Sequence, residues 1–327
     1  MNILLSRTDR LGDLVQSLAA VRSLKEHFPG GSIGFLIAKS NAPVLADNPH
    51  IDKVHFIEET TVEEMRRCKY EAAVVMFYDR RVTKLIKGAA IPRRVGPLSQ
   101  IGSLFAFNEG IRQHRSASLK NEAEYNVDLV RAICSEVVAE RPIIYNKGVQ
   151  PAFDLPDKYA VLAPQSRSSA PNIADEMYKE LAGIIVGKGI PLVVTGTATD
   201  SLCEQIANDN TGVLNVAGKT TLDELIFLIQ RSLFVVAPST GTLHLANALG
   251  RPIISFYPPA GTVSAIRWSP FRYEGKIFSS PYPCKRKTCR KNSRSCEPCM
   301  RFDVSDEVSR EVDRLLQESR GTVPRTK

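Results

Sequence analysis

Short apolar runs and helical apolar stripes alternate along this chain, and the alternation occurs twice. Residues 2–6 (N-I-L-L-S) form a first run, and Leu14, Val15, Leu18, Val21 and Leu24 then recur at helical spacing until Phe28-Pro-Gly-Gly31 breaks the stripe. Residues 33–37, 54–57 and 71–77 add further runs of strand length. Strand, glycine-containing turn and helix in that order make the opening half of a Rossmann-like βαβ unit. The G-x-G-x-x-G pattern is absent, so the unit does not read as a dinucleotide site. Tyr125, Leu129, Val130 and Ile133 predict a helix over 122–138. Residues 141–157 carry three prolines and no stripe, which predicts an extended linker. The rhythm then restarts, with strands over 159–163 and 190–195. A helix on Ile173, Met177, Leu181, Ile184 and Ile185 lies between them. Thr221 and Glu224 have capping-box spacing before Leu225, Ile226 and Ile229, and Ser305 precedes a last helix on Val308, Val312, Leu315 and Leu316. The expected organisation is two α/β domains, 1–155 and 156–327.

The most informative stretch is 232–257. Leu233 to Ala237 reads as a buried parallel strand, and Pro238-Ser239-Thr240-Gly241-Thr242 follows as a polar turn. Leu243, Leu245, Ala246 and Leu249 give the next helix, closed by Gly250, and Ile253 to Phe256 the next strand. Open α/β sheets bind ligands at this kind of edge. Helix-start N–H groups with Ser239, Thr240 and Thr242 suit a phosphate or diphosphate, and a helix cap alone is the other reading.

Charge narrows the partners without choosing among them. The chain has 327 residues, with 43 Lys and Arg against 35 Asp and Glu, a net +8 that favours nucleic acid, an anionic membrane surface or a phosphorylated substrate. No apolar run approaches the ~20 residues that span a bilayer. Met1 leads directly into a strand, so a cytoplasmic location is expected, with peripheral contact at the inner face of the membrane. From Asp79 to Lys120 cations concentrate among scattered glycines and prolines, which predicts a loop-rich basic surface.

Two constellations carry candidate chemistry. Asp13 falls in the first turn of a helix at the lip of the sheet, either as a partner of the helix dipole or as a general base facing an interdomain cleft. Cys284, Cys289, Cys296 and Cys299 lie close in sequence, and Cys296-x-x-Cys299 is one half of a tetrahedral metal pattern. A structural Zn or Fe competes there with free thiols and with disulfides, which a reducing cytoplasm disfavours.

P-S-T-G-T-L-H-L-A-N-A-L-G-R-P (238–252) resembles the C-terminal signature of glycosyltransferase family 9, the heptosyltransferases of lipopolysaccharide core synthesis. R-x-D-R-L-G-D (7–13) is similar to its N-terminal motif. Many members carry Asp at the position of Ser239, whereas Thr240, Gly241 and His244 match. The resemblance implies a GT-B fold, two Rossmann-like domains facing across a cleft. The second domain would take the sugar nucleotide and the first the acceptor. It implies Asp13 as the base that takes the acceptor proton, and inverting transfer of heptose from ADP-heptose to an inner-core sugar. It implies donor contacts from Thr195, Gly196, Ser239, Thr240, Gly241, Thr242 and His244. Ser166 or Arg167 would stand in for a basic residue that the family usually has near Asn172. Arg10, Arg80, Arg93 and Arg94 would meet an anionic glycolipid of the lipid A-core type. No cofactor is required for this catalysis. Another nucleotide sugar as donor, or a non-catalytic nucleic-acid-binding protein with salt-sensitive affinity, are the alternatives. The transferase reading involves no nucleic acid.

Overall fold

The computed structural model describes residues 1–164, 171–284, 289 and 299–321. Among these, the chain divides into two units, Met1–Asn146 and Lys147–Lys327. The division falls inside the proline-containing stretch but earlier than expected. The reason is local: Gly148 takes φ +70 and Val149 N–H donates to Asp223 O at 3.2 Å, so the chain joins the second unit at once.

The first unit is a six-stranded sheet of β1 (Ile3–Ser6), β2 (Ile33–Ile37), β3 (Lys53–Phe56), β4 (Ala72–Val75), β5 (Arg93–Pro97) and β6 (Glu109–Ile111), in the order β3-β2-β1-β4-β5-β6. The second unit repeats the plan with β7 (Ala160–Leu162), β8 (Leu192–Val194), β9 (Val213–Asn215), β10 (Val235–Val236), β11 (Ile253–Tyr257) and β12 (Gly275–Ser279), in the order β12-β11-β10-β7-β8-β9. Every pairing is parallel. β1, β2 and β4 are buried along their whole length, as strands covered by helices on both faces must be. Both units therefore have the doubly wound Rossmann order, reversing between β1 and β4 in the first and between β7 and β10 in the second. These are the paired α/β units of a GT-B fold.

The apolar runs mark the central strands correctly, and the edges differ from expectation. The basic stretch after Asp79 is not mainly loop. It holds helix Arg80–Gly88, β5, helix Ile101–Ala106 and β6, which complete one side of the first sheet. Asp79 caps the first of these helices by accepting from Arg81 N–H at 2.7 Å, and Val82, Leu85 and Ile86 bury its inner face. The first helical stripe is three pieces, Leu11–Ser17, a 3-10 turn over Leu18–Ala20, and Val21–His27. Ser17 Oγ donates back to Leu14 O at 2.6 Å, a bond that bends helices. The helix expected over 122–138 stops at Val130, where Arg131 Nε donates to Val137 O at 2.9 Å and folds the following turns back. The box at Thr221 forms as expected: its N–H donates to Glu224 Oε2 at 2.7 Å and its Oγ1 accepts from Glu224 N–H at 3.3 Å. Helix Ser305–Gly321 packs Val308, Val312 and Leu315 into the core that holds Tyr178 and Leu181.

Candidate functional site

At the carboxyl edge of the first sheet the chain leaves β1 through Arg7 and enters helix Leu11–Ser17, which carries Asp13 in its first turn. Arg7 is 2% exposed and sits where the strand order reverses. Its guanidinium gathers the surrounding carboxylates. Nη2 donates to Asp13 Oδ1 at 2.5 Å and to Asp9 Oδ2 at 3.1 Å, while Nε donates to Asp9 Oδ1 at 2.7 Å. Nη1 reaches Glu122 Oε1 at 3.3 Å, Asn126 Oδ1 at 3.1 Å and the Met76 carbonyl beyond β4 at 3.4 Å. Glu122, itself fully buried, also accepts from Arg115 Nη1 at 2.5 Å. Thr8 Oγ1 donates to Asp79 Oδ2 at 3.2 Å, which ties the β1 and β4 exits together again.

This crowding sets the protonation states. Burial pushes Asp13 up to about 6, and Asp9 and Glu122 push in the same direction, while Arg7 pulls it back. Burial opposes the Arg7 charge, but Asp13, Asp9 and Glu122 outweigh it and hold the guanidinium protonated. A carboxylate poised near neutrality, with one oxygen held by a fixed cation, is suited to take a proton from a hydroxyl. A mere helix-dipole partner would not need such a setting, since an Asp in a first turn is stable when exposed. Glu122 and Asn126 are residues the sequence pattern does not mark, whereas Arg7 opens the R-x-D-R-L-G-D motif without a role being evident from it. The available signal for Arg7 is a cation directly after a fully buried strand.

The second unit builds a different edge. β10 runs into Pro238, and Thr240 is the N-cap of helix Gly241–Ala248, at the point where β7 and β10 reverse the strand order. Thr240 has extended backbone angles, as an N-cap should, yet its hydroxyl makes no capping bond. Its Oγ1 is buried with no hydrogen-bond partner among the described residues. Ser239 is held by the Tyr257 hydroxyl instead. Gly241 and Thr242 are half-buried in the first turn. His244 is 3% exposed, its Nδ1 has no partner among the described residues, and burial lowers it to about 4, so the ring is neutral at pH 7. Thr195 and Gly196 follow β8 at the same edge, with β7 between β8 and β10. Thr197 N–H donates to Asp200 Oδ2 at 2.6 Å, and a Cβ on Gly196 would press on that carboxylate. Ser166 and Arg167 lie outside the described residues.

The four arginines expected at the acceptor divide. Arg10 and Arg80 are exposed on the segments that leave β1 and β4, beside the Asp13 cluster. Arg93 and Arg94 start β5 at the opposite edge, in register with Ala72 and Ala73. Arg93 makes a two-bond pair with Glu109 at 2.7 and 2.8 Å, and Arg94 donates to Ile91 O at 2.7 Å, so both serve the sheet there. Cys284, Cys289 and Cys299 are half-buried thiols, and Cys296 lies outside the described residues. Among the described residues no group of three His, Cys, Asp or Glu gathers to hold a metal. Nor is any helix among them long and apolar enough to cross a membrane.

Comparison with known proteins agrees with this architecture. The model of glycosyltransferase family 9 (heptosyltransferase) matches residues 61–297, a span that includes the 239–244 turn and begins after Asp13. A curated protein of Haemophilus influenzae that carries only the general name of a glycosyltransferase is 28% identical over 299 residues, 82% of this chain and 85% of its own. The structure of Escherichia coli ADP-heptose lipopolysaccharide heptosyltransferase II has a TM-score of 0.75 at 19% identity, covering 98% of this chain and 100% of that one. TibC, an iron-containing dodecameric glycosyltransferase of enterotoxigenic E. coli, has a TM-score of 0.64 at 13% identity, covering 98% of this chain and 80% of its own. With two Rossmann-like sheets and a family match over most of its length, the chain belongs to glycosyltransferase family 9 and is a sugar-transferring enzyme.

Proposed function

We propose that this enzyme transfers heptose from ADP-heptose to an anionic lipopolysaccharide inner-core acceptor, with inversion at the anomeric carbon. The observation that carries the reading is the Arg7 cluster, which leaves Asp13 at about 6. In this scheme Arg7 holds Oδ1 of Asp13, and the other oxygen takes the proton of the acceptor hydroxyl as that oxygen attacks. The first unit receives the acceptor, with Arg10 and Arg80 meeting its anionic groups. The second unit holds the donor. The N–H groups at the start of helix Gly241–Ala248, with Thr240, Gly241, Thr242, Ser239 and His244, neutralise charge on the departing diphosphate, and Thr195 and Gly196 line the same edge. The structure of E. coli ADP-heptose lipopolysaccharide heptosyltransferase II supports the choice of donor and acceptor through a shared fold.

No step is routed through a cofactor. Thiolates of Cys284, Cys289, Cys296 and Cys299 are donors of the kind that hold zinc or iron, and TibC, which shares the fold, is iron-containing. One equivalent of metal in the purified protein would support a structural site, and metal-free protein of equal stability would remove it. The reaction belongs on the cytoplasmic face of the inner membrane, where a nucleotide sugar and a lipid-linked acceptor can meet.

The deciding experiment is Asp13→Asn with an acceptor that the parent enzyme glycosylates. The expected loss is ~10²–10⁴-fold in kcat, with thermal protection by ADP-heptose retained. Near-normal turnover would overturn the base assignment. Protection of the parent enzyme by another nucleotide sugar, with none by ADP-heptose, would replace the donor while leaving the family in place.

A further inference from the structure

We propose that helix Ile101–Ala106 and helix Arg80–Gly88 form a docking surface for an anionic lipid bilayer. The first helix turns its apolar residues outward: Ile101, Leu104 and Phe105 are 81%, 56% and 76% exposed. Their i, i+3, i+4 spacing puts them on one face, the pattern by which a helix ordinarily buries itself in a core. Here that face is turned outward, while Ser103 and Ala106 are buried on the inner side. The helix is held firmly to its unit. Gly102 lies so close to Tyr78 that a Cβ would run into the Tyr78 hydroxyl, and Tyr78 in turn stacks edge-on with Phe107 at 6.3 Å.

The neighbouring helix supplies the charge. Val82, Leu85 and Ile86 face inward, and Arg80, Arg81, Lys84 and Lys87 are all exposed on the outer side. Lys87 Nζ donates to Phe105 O at 3.3 Å, so the cationic stripe borders the apolar face. Arg81 also pairs with Asp79 at 3.3 Å. From Arg80 to Asn108 the sequence contains no Asp or Glu. A partner protein would usually be matched by mixed charge, and a second copy of this surface would set cations against cations. Exposed apolar residues bordered by cations of one sign match the headgroup and acyl boundary of an anionic membrane. Both helices leave β4 and β5 at the edge that also carries the Arg7 cluster. Docking there would bring the exposed Arg10 and Arg80 close to the lipid surface.

The proposal rests on the transferase reading only for its biological sense, and its test is separate. Flotation of the full chain with vesicles of phosphatidylcholine plus about one-third phosphatidylglycerol should recover the protein with the lipid at low salt. Vesicles of phosphatidylcholine alone should not recover it. Leu104→Ser with Phe105→Ser should lower partition by more than ~10-fold, the worth of a buried aromatic and an aliphatic side chain. Lys84→Gln with Lys87→Gln should lower it by roughly 25-fold, at about fivefold per cation. All four positions are exposed, so melting temperatures and protection by ADP-heptose should stay at parental values in both variants. That protection separates failure here from failure of the donor assignment. Absence of vesicle binding at low salt would overturn the proposal. So would undiminished binding by Leu104→Ser/Phe105→Ser, or a lipid-free dimer that the same pair dissolves.

Discussion

The two switch-point edges of this enzyme are built on the same strand order and filled with opposite chemistry. In the first unit the buried Arg7, Asp13 and Glu122 form an ion cluster with the half-buried Asp9 and Arg115. In the second unit the matching edge presents hydroxyls, a neutral imidazole and the start of a helix, with Thr240 Oγ1 and His244 Nδ1 unpartnered among the described residues. On the proposed reading, the difference matches what each edge would be asked to do. A proton acceptor must have its pKa set in advance, which requires fixed charges around it. A diphosphate brings its own charge, and a pocket lined by carboxylates would repel it, so neutral donors are the better lining.

The comparison breaks most visibly at Arg7. Replacing it by Met leaves Asp9, Asp13 and Glu122 without their shared cation, and the expected loss is ~3–5 kcal/mol of stability. Chemical denaturation measures it, and a loss below ~1 kcal/mol would show that the cluster does not depend on Arg7. Thr240→Val tests the second edge. The unbound protein should be as stable as its parent, since the lost hydroxyl has no partner, while ADP-heptose should bind ~10-fold more weakly if that hydroxyl meets a charged oxygen.

The smallest effects are pH-dependent and have opposite signs at the two edges. Asp13 is raised to about 6, so it binds its proton more tightly when folded. Its contribution to stability is full below the ordinary carboxylate range and is lost as pH rises through 6. His244 is lowered to about 4, so its contribution is present above 6.5 and lost as pH falls towards 4. Melting curves of Asp13→Asn should therefore lose some of the decline on the neutral side, and those of His244→Gln some of the decline on the acid side. Turnover should rise through pH ~6 as Asp13 ionises and then level. A rate that falls across that range would contradict its role as a base.

Much of the fold is legible because buried parallel strands are largely apolar, as residues 3–5, 33–37 and 72–75 are. The strands that escape are the outer ones. β5 begins Arg-Arg, and β6 and β9 have three residues each, so they form because a neighbour offers hydrogen bonds and not because of their own pattern. Helix Arg80–Gly88 was readable from Asp79 and the Val82, Leu85, Ile86 spacing, but its four surface cations dominate the composition. At the site, Asp13 and the 239–244 turn stand out within local motifs. Glu122 and Asn126 do not, because they meet Arg7 only after the chain has crossed from β1 to a helix more than a hundred residues later.

The ion cluster also has a stoichiometry. Three carboxylates, those of Asp9, Asp13 and Glu122, share two guanidinium groups, those of Arg7 and Arg115. With every carboxylate ionised the group carries one surplus negative charge in a place largely closed to water, and a single added proton balances it. A proton taken from an acceptor hydroxyl would complete that neutrality, so the pocket is electrically most settled just after the proton has moved. An anionic acceptor of the proposed kind would meet the opposite condition, a pocket already one charge too negative, and would have to find its cations at the rim.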